Sequence, residues 1–195
     1  MTAGAVFRSV NQALHVSFLM AVLPPTQKSN TQMLIEQLMR DAGVSREVHA
    51  DGTLNFHGLS PLDVRAQCAM VRASVEHHCT EPERMAIWAW FAHDGTKADG
   101  VRYLCKYFAH AWSVDSPHAR MLMAWRASVT DDSKAARHCS YRDIEGEHGI
   151  PKSSAQRQVQ AFAKLAKRLR DHGAWRLEEL FLAHGLIDHV DTVGQ

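Results

Sequence analysis

Residues 140–173 read SYRDIEGEHGIPKSSAQRQVQAFAKLAKRLRDHG, and the parsing of this stretch decides the architecture of the C-terminal third. The Ser140 hydroxyl can accept from the free N–H groups of a helix that begins at Tyr141. Asp143 and Glu145 follow in its opening turns, where negative charge meets the positive pole of the helix. His148-Gly149-Ile150 predicts a tight turn, since glycine takes a positive φ without steric cost and Ile150 returns to the core. Pro151 cannot continue a helix but suits a non-helical lead-in. Ser153 or Ser154 is then expected to cap a second helix, from about Ser154 to His172, with Gly173 ending it. Val159, Phe162, Ala163, Leu165, Ala166 and Leu169 form the apolar side of that helix.

The polar side carries Lys152, Ser153, Ser154, Gln156, Arg157 and Gln160 near its start and Lys164 further on. These side chains match double-stranded DNA. Arginine pairs with two acceptors of guanine, glutamine with adenine, and serine with phosphate oxygens. Residues 134–176 hold ten lysines and arginines against four acids, a local charge of +6, so the rest of a chain of net charge +1 carries −5. A near-neutral protein with one basic end has a directional field that can attract a polyanion. The plainer reading of the same face is a solvated basic stripe that serves solubility.

The segment from Tyr141 through Val159 resembles the helix-turn-helix of sigma-factor region 4 and its relatives. It shares their Tyr–x–Asp–Ile start, Gly–Ile turn and serine-rich approach to the recognition helix. Glu145, His148 and Ala155 stand where that family usually has Ala, Leu and Val. A helical body followed by a basic, sigma-like end also resembles phage and prophage regulators, with late-gene antitermination proteins of the Q type nearest. The resemblance implies a DNA-binding transcription regulator acting on double-stranded DNA, with RNA polymerase or a sigma factor as its protein partner. The competing expectation is a helical protein-interaction protein whose basic end docks an acidic partner.

Outward from this segment the composition stays helical, rich in Ala, Leu, Met, Gln, Arg and Glu and without alternating β-branched runs. Val6, Val10, Leu14 and Phe18 predict a helix over 5–22, stopped by Pro24-Pro25. Leu34, Ile35, Leu38 and Met39 predict a second over 31–41. Residues 44–60, with Asp51-Gly52, predict a loop or a short hairpin. Ser60-Pro61-x-Asp63 opens a helix to about His78, and Thr80 with Glu83 opens one from Pro82 to His93, with Ile87, Trp88 and Phe91 as core candidates. Asp94-Gly95 breaks it, a further helix is expected over Asp99–Trp112, and Ser116-Pro117 opens the next to about Ala127. The fold class expected is mainly α: a helical bundle body over 1–130, then a C-terminal helix-turn-helix module with a final helix over 131–195.

Other chemistries are poorly represented. With 46% hydrophobic and 22% charged residues, the composition is that of an ordinary globular domain. The most apolar N-terminal run, Val16 to Leu23, is too short to span a bilayer. It lacks a basic leader and ends in prolines, so neither a signal peptide nor a membrane span is expected and a cytoplasmic location is. Cys68, Cys79, Cys105 and Cys139 form no CxxC pair, so free thiols are expected. Cys68 and Cys79 with His77, His78 and Cys105 have poor spacing for zinc, so no metal or other cofactor is expected. Glu81/Glu83 and Asp131/Asp132 sit at helix starts, where capping explains them. No nucleophile elbow, phosphate loop or dinucleotide motif is present, and no enzymatic activity is expected. Trp88, Trp90, Tyr103, Tyr107, Phe108, Trp112 and Trp125 make the middle aromatic; their helical spacing favours a core over base stacking.

Overall fold

The computed structural model describes residues 6–23, 59–93, 95–129 and 139–187. Within them the chain is helical, as expected, with no named strand. The helices are α1 (Val10–Val22), α2 (Pro61–His78), α3 (Glu81–Phe91), α4 (Gly95–Tyr107), α5 (Pro117–Ala127), α6 (Tyr141–His148) and α7 (Lys152–Ala183), with a 3-10 turn at Ala109–Ala111 after α4. No helix among the described residues is long and apolar enough to cross a membrane. The helix expected over 31–41, nearly all of the hairpin region 44–60, and the boundary near 130 lie outside the described residues. The chain forms two compact units, one from residues 1–79 and 173–195, the other from 80–172.

In the first unit, α1 is apolar nearly all round and is buried accordingly, from Val10 through Leu14, Val16 and Phe18 to Met20. It begins at Val10 and not at residue 5. Ser9 is extended and its hydroxyl accepts from the Gln12 N–H at 3.2 Å, while the Phe7 N–H donates to the Leu186 carbonyl at 2.9 Å. That bond belongs to a single parallel bridge between Phe7 and Ile187, so Phe7 is committed to extended pairing and the helix starts after it. α2 packs on α1 through Val64, Cys68, Val71 and Val75, one residue per helical turn. Its start is the expected one: the Ser60 hydroxyl accepts from the Asp63 N–H, and the Asp63 carboxylate accepts from the Ser60 N–H at 3.0 Å. Arg72 and Arg65 of α2 donate to the Ser17 and Leu23 carbonyls at 2.6 and 3.1 Å, placing cations on the C-terminal half of α1.

In the second unit, α3 and α4 pack so closely that a Cβ on Gly100 would lie 2.6 Å from the Met85 carbonyl oxygen and 2.7 Å from the Ala89 nitrogen. The buried Glu83 carboxylate accepts from the Thr80 N–H at 2.8 Å and lies 2.6 Å from His172 Nδ1. α4 spans Gly95–Tyr107, against an expected Asp99–Trp112. It buries Gly100, Val101, Leu104 and Cys105, with Phe108 just beyond, so the apolar stripe lies beside the Tyr103/Tyr107 pair. Tyr107 is 48% exposed and stacks on Tyr103 at the surface, and Trp88 is only half-buried, so neither fills the core position expected of it. Phe108, Trp112, Ala119, Met123, Ile144, Val159 and Phe162 form the centre of this core.

Lys97 links two helix ends in the same unit. Its Nζ donates to the Ala89 carbonyl at 2.9 Å, near the end of α3, and to the Ser128 carbonyl at 3.1 Å, after α5. Burial pulls its ammonium down from 10.5 to about 8.

Gly100→Ala should destabilise the protein by about 1–3 kcal/mol in urea unfolding, because the added methyl meets backbone atoms that cannot rotate away. Its better helix propensity, about 0.8–1.0 kcal/mol, does not offset that. Lys97 gives a pH signature of fixed sign. The folded state releases its proton at about 8 and the unfolded chain at 10.5, so the unfolded chain binds more protons between those values and stability rises with pH across that window. The melting temperature of the parent relative to Lys97→Met should therefore increase between about pH 7.5 and about pH 10.

Candidate nucleic-acid interface

The N-terminus of α6 is built as the sequence predicts. The Ser140 hydroxyl accepts from the Asp143 N–H at 3.2 Å, and Ile144 is fully buried. Gly149 ends the helix at φ +64 with its N–H on the Glu145 carbonyl at 2.9 Å, a left-handed closure that a Cβ would strain. Ile150 returns to the core.

α7 departs from expectation at both ends. It starts at Lys152, because the Pro151 carbonyl accepts from the Ser154 and Ala155 N–H groups at 2.9 and 3.0 Å. Ser153 and Ser154 therefore lie inside the first turn and cap nothing; the Ser154 hydroxyl instead accepts from Gln158 Nε2 at 3.5 Å. The Lys152 N–H points to Glu145 Oε1 of α6 at 3.4 Å, so one of the residues that departs from the sigma-like pattern bridges the turn. At the far end α7 runs through Gly173 to Ala183. Gly173, Leu177 and Phe181 are buried one turn apart, and their burial outweighs the roughly 1 kcal/mol that glycine costs inside a helix. The helix closes at Gly185, φ +64, with the Leu186 N–H on the Phe181 carbonyl at 2.9 Å.

The two faces of the first half of α7 separate cleanly. Ala155, Gln158, Val159 and Phe162 are buried, with Leu165, Ala166 and Leu169 half-buried behind them. Phe162 stacks on Trp112 with ring centroids 4.9 Å apart and meets Phe108 edge-on at 6.0 Å. Buried Gln158 accepts from the Ser113 N–H through Oε1 at 3.1 Å, a polar anchor that the periodicity alone conceals. Lys152, Ser153, Gln156, Arg157, Gln160 and Lys164 are all exposed, and only Ser154 is half-buried. Spacings of three and four residues set Ser153, Gln156, Arg157, Gln160 and Lys164 in one stripe.

Arg168 extends that stripe and was not among the expected contacts. It is exposed and lies eleven residues, about three turns, beyond Arg157. The i+11 spacing was the available signal. Not every cation is equally free. Lys167 and Arg170 both hydrogen-bond Asp171, and Arg170 also lies over the Trp90 ring at 4.4 Å. Burial opposes ionisation of Asp171, but the bonds from Lys167 and Arg170 outweigh it and hold its carboxyl below the usual range. Lys152, Arg157, Lys164 and Arg168 have no acidic partner among the described residues, and the first turn of α7 carries no acid. Lys134 and Arg137, counted in the basic charge, lie outside the described residues.

All four cysteines are buried and free. Burial pushes the thiols of Cys68, Cys105 and Cys139 up, away from the thiolate that nucleophiles and metal ligands need. Among the described residues none joins a cluster of three potential metal ligands, and the cluster that does form is His118, Glu147 and His148.

The chain matches no known family model, and no curated protein is significantly similar to it.

Phe162→Ala should cost about 3–5 kcal/mol in thermal or denaturant unfolding, since it removes the ring that both Trp112 and Phe108 contact. Gln156→Ala, on the exposed face, should leave stability within about 0.5 kcal/mol of the parent.

Proposed function

We propose that this protein is a DNA-binding transcription regulator in which α6, the Gly149 turn and the start of α7 act as a helix-turn-helix on duplex DNA. The observation that carries the reading is the exposed stripe Lys152, Ser153, Gln156, Arg157, Gln160 and Lys164, opposite a buried face and directly after a left-handed turn. In a helix-turn-helix the first residues of the second helix enter the major groove. Gln156 and Arg157 then face base edges. The exposed Lys152 ammonium favours phosphate. Lys164 and Arg168 follow Arg157 by about 10 and 16 Å along the axis, where a helix leaving the groove meets the backbone. The resemblance to sigma region 4 supports the finer reading, a regulator of phage or prophage type that works with RNA polymerase or a sigma factor as an antiterminator. This role requires no catalysis.

The test is a salt titration of binding to promoter-containing and random duplexes. Arg157→Ala should lose about 1–3 kcal/mol on a specific site and relax its sequence preference. Lys164→Ala should weaken binding to all duplexes alike and lower the magnitude of the salt slope by about one unit. Both side chains are exposed, so melting temperatures should stay near that of the parent. If Arg157→Ala binds every duplex as well as the parent, the stripe is not a reader, and an acidic protein becomes the partner to seek.

A further inference from the structure

We propose that His118, Glu147 and His148 form a binding site for one divalent transition-metal ion of the zinc class. His118 is the second residue of α5, and Glu147 and His148 are the last two of α6, so the site would join two helix ends within one unit. Each residue offers a ligand atom, and these atoms all lie within 4.8 Å of one another. The His118 and His148 rings meet edge to face with centroids 5.2 Å apart.

A second observation makes this more than a coincidence of side chains. His148 Nε2 is shut off from solvent and has no hydrogen-bond partner among the described residues. The Glu147 carboxylate, at 3.9 Å, is too far to accept from it. An enclosed ring nitrogen without a partner is costly, and a bound ion is one of the few things that relieves it. Tetrahedral zinc, with bonds of about 2.0–2.2 Å, holds its ligand atoms about 3.4 Å apart. Closing the cluster needs shifts of roughly 1 Å, within reach of the exposed His118 and Glu147 side chains. Two imidazoles and one carboxylate suit zinc, cobalt or nickel better than calcium or magnesium, which prefer oxygen. Three protein ligands leave a fourth position for water. The ion would lie at the C-terminal end of α6, whose carbonyl pole favours a cation, one residue before the Gly149 turn. None of the three ligands belongs to the exposed stripe of α7, so the site stands or falls without reference to DNA.

The test is zinc binding by calorimetry and cobalt(II) absorption on chelator-treated protein, without nucleic acid. The parent should take one equivalent, show the visible bands of tetrahedral cobalt, and melt at a higher temperature with zinc than without. His118→Ala and Glu147→Gln, both at exposed positions, should melt like the metal-free parent, bind zinc at least tenfold more weakly and lose the cobalt bands. His110→Ala, an exposed histidine of the 3-10 turn, should bind like the parent. Failure of the parent to bind one equivalent, or a loss below tenfold in both ligand variants, overturns the proposal.

Discussion

The second unit depends on one aromatic contact, the Phe162 ring laid against Trp112 and edge-on to Phe108. It fixes the rotation of α7 about its own axis. A helix presents what its buried face leaves over. Once Ala155, Val159 and Phe162 are inside, Gln156, Arg157 and Gln160 have nowhere to point but outward. Gln158 adds a directional constraint to this apolar one, because its bond to the Ser113 N–H is lost if the helix slides or turns. The Trp112 indole is itself satisfied by the Cys105 carbonyl at 3.3 Å, so the ring supports α7 without leaving a buried donor unpaired. The outward stripe of α7 is thus positioned by the packing of its buried face and not by its charges.

Charge is partitioned along α7 with the same economy. Asp171 gathers Lys167 and Arg170 into a local network, and the Trp90 ring lies against the Arg170 guanidinium. These cations hold structure. Lys152, Arg157, Lys164 and Arg168 lie on the open side. A count of positive charges along the segment treats all of them alike, yet the first group is already paired with Asp171 and the second has no acidic partner among the described residues.

The starts of α2, α5 and α6 were legible because a cap is a local event. Ser60, Ser116 and Ser140 each accept from the N–H three residues on, as their spacing to the following helix indicates. Gly149 was legible for the same reason. Two of the ends that were misread are settled by distant partners. Ser9 caps α1 because Phe7 is held by Leu186, and α7 passes Gly173 because Leu177 and Phe181 have a core to enter. In α4 two apolar stripes compete, and periodicity cannot tell that Leu104 and Phe108 go inside while Tyr107 stays out. The exposed stripe of α7, Gln156, Arg157, Gln160 and Lys164, was legible from the spacing of the apolar residues opposite it. The His118–His148 cluster was not, because metal-ligand patterns show as close pairs and these histidines are thirty positions apart.

The first unit is assembled from the two extremes of the described chain, whereas the second is continuous in sequence. A ribosome delivers residues 80–172 whole before it has released Leu177, Phe181, Leu186 and Ile187. Until then α1, already packed on α2, lacks the Phe7–Ile187 bridge and the Leu186 carbonyl that hold the residues leading into it. The unit that waits is thus the discontinuous one, and its closing contacts span nearly the full chain. Contacts of such long sequence separation form late and slowly, so a chain stalled or truncated before Ile187 leaves Phe7 without its extended partner and the first unit unclosed.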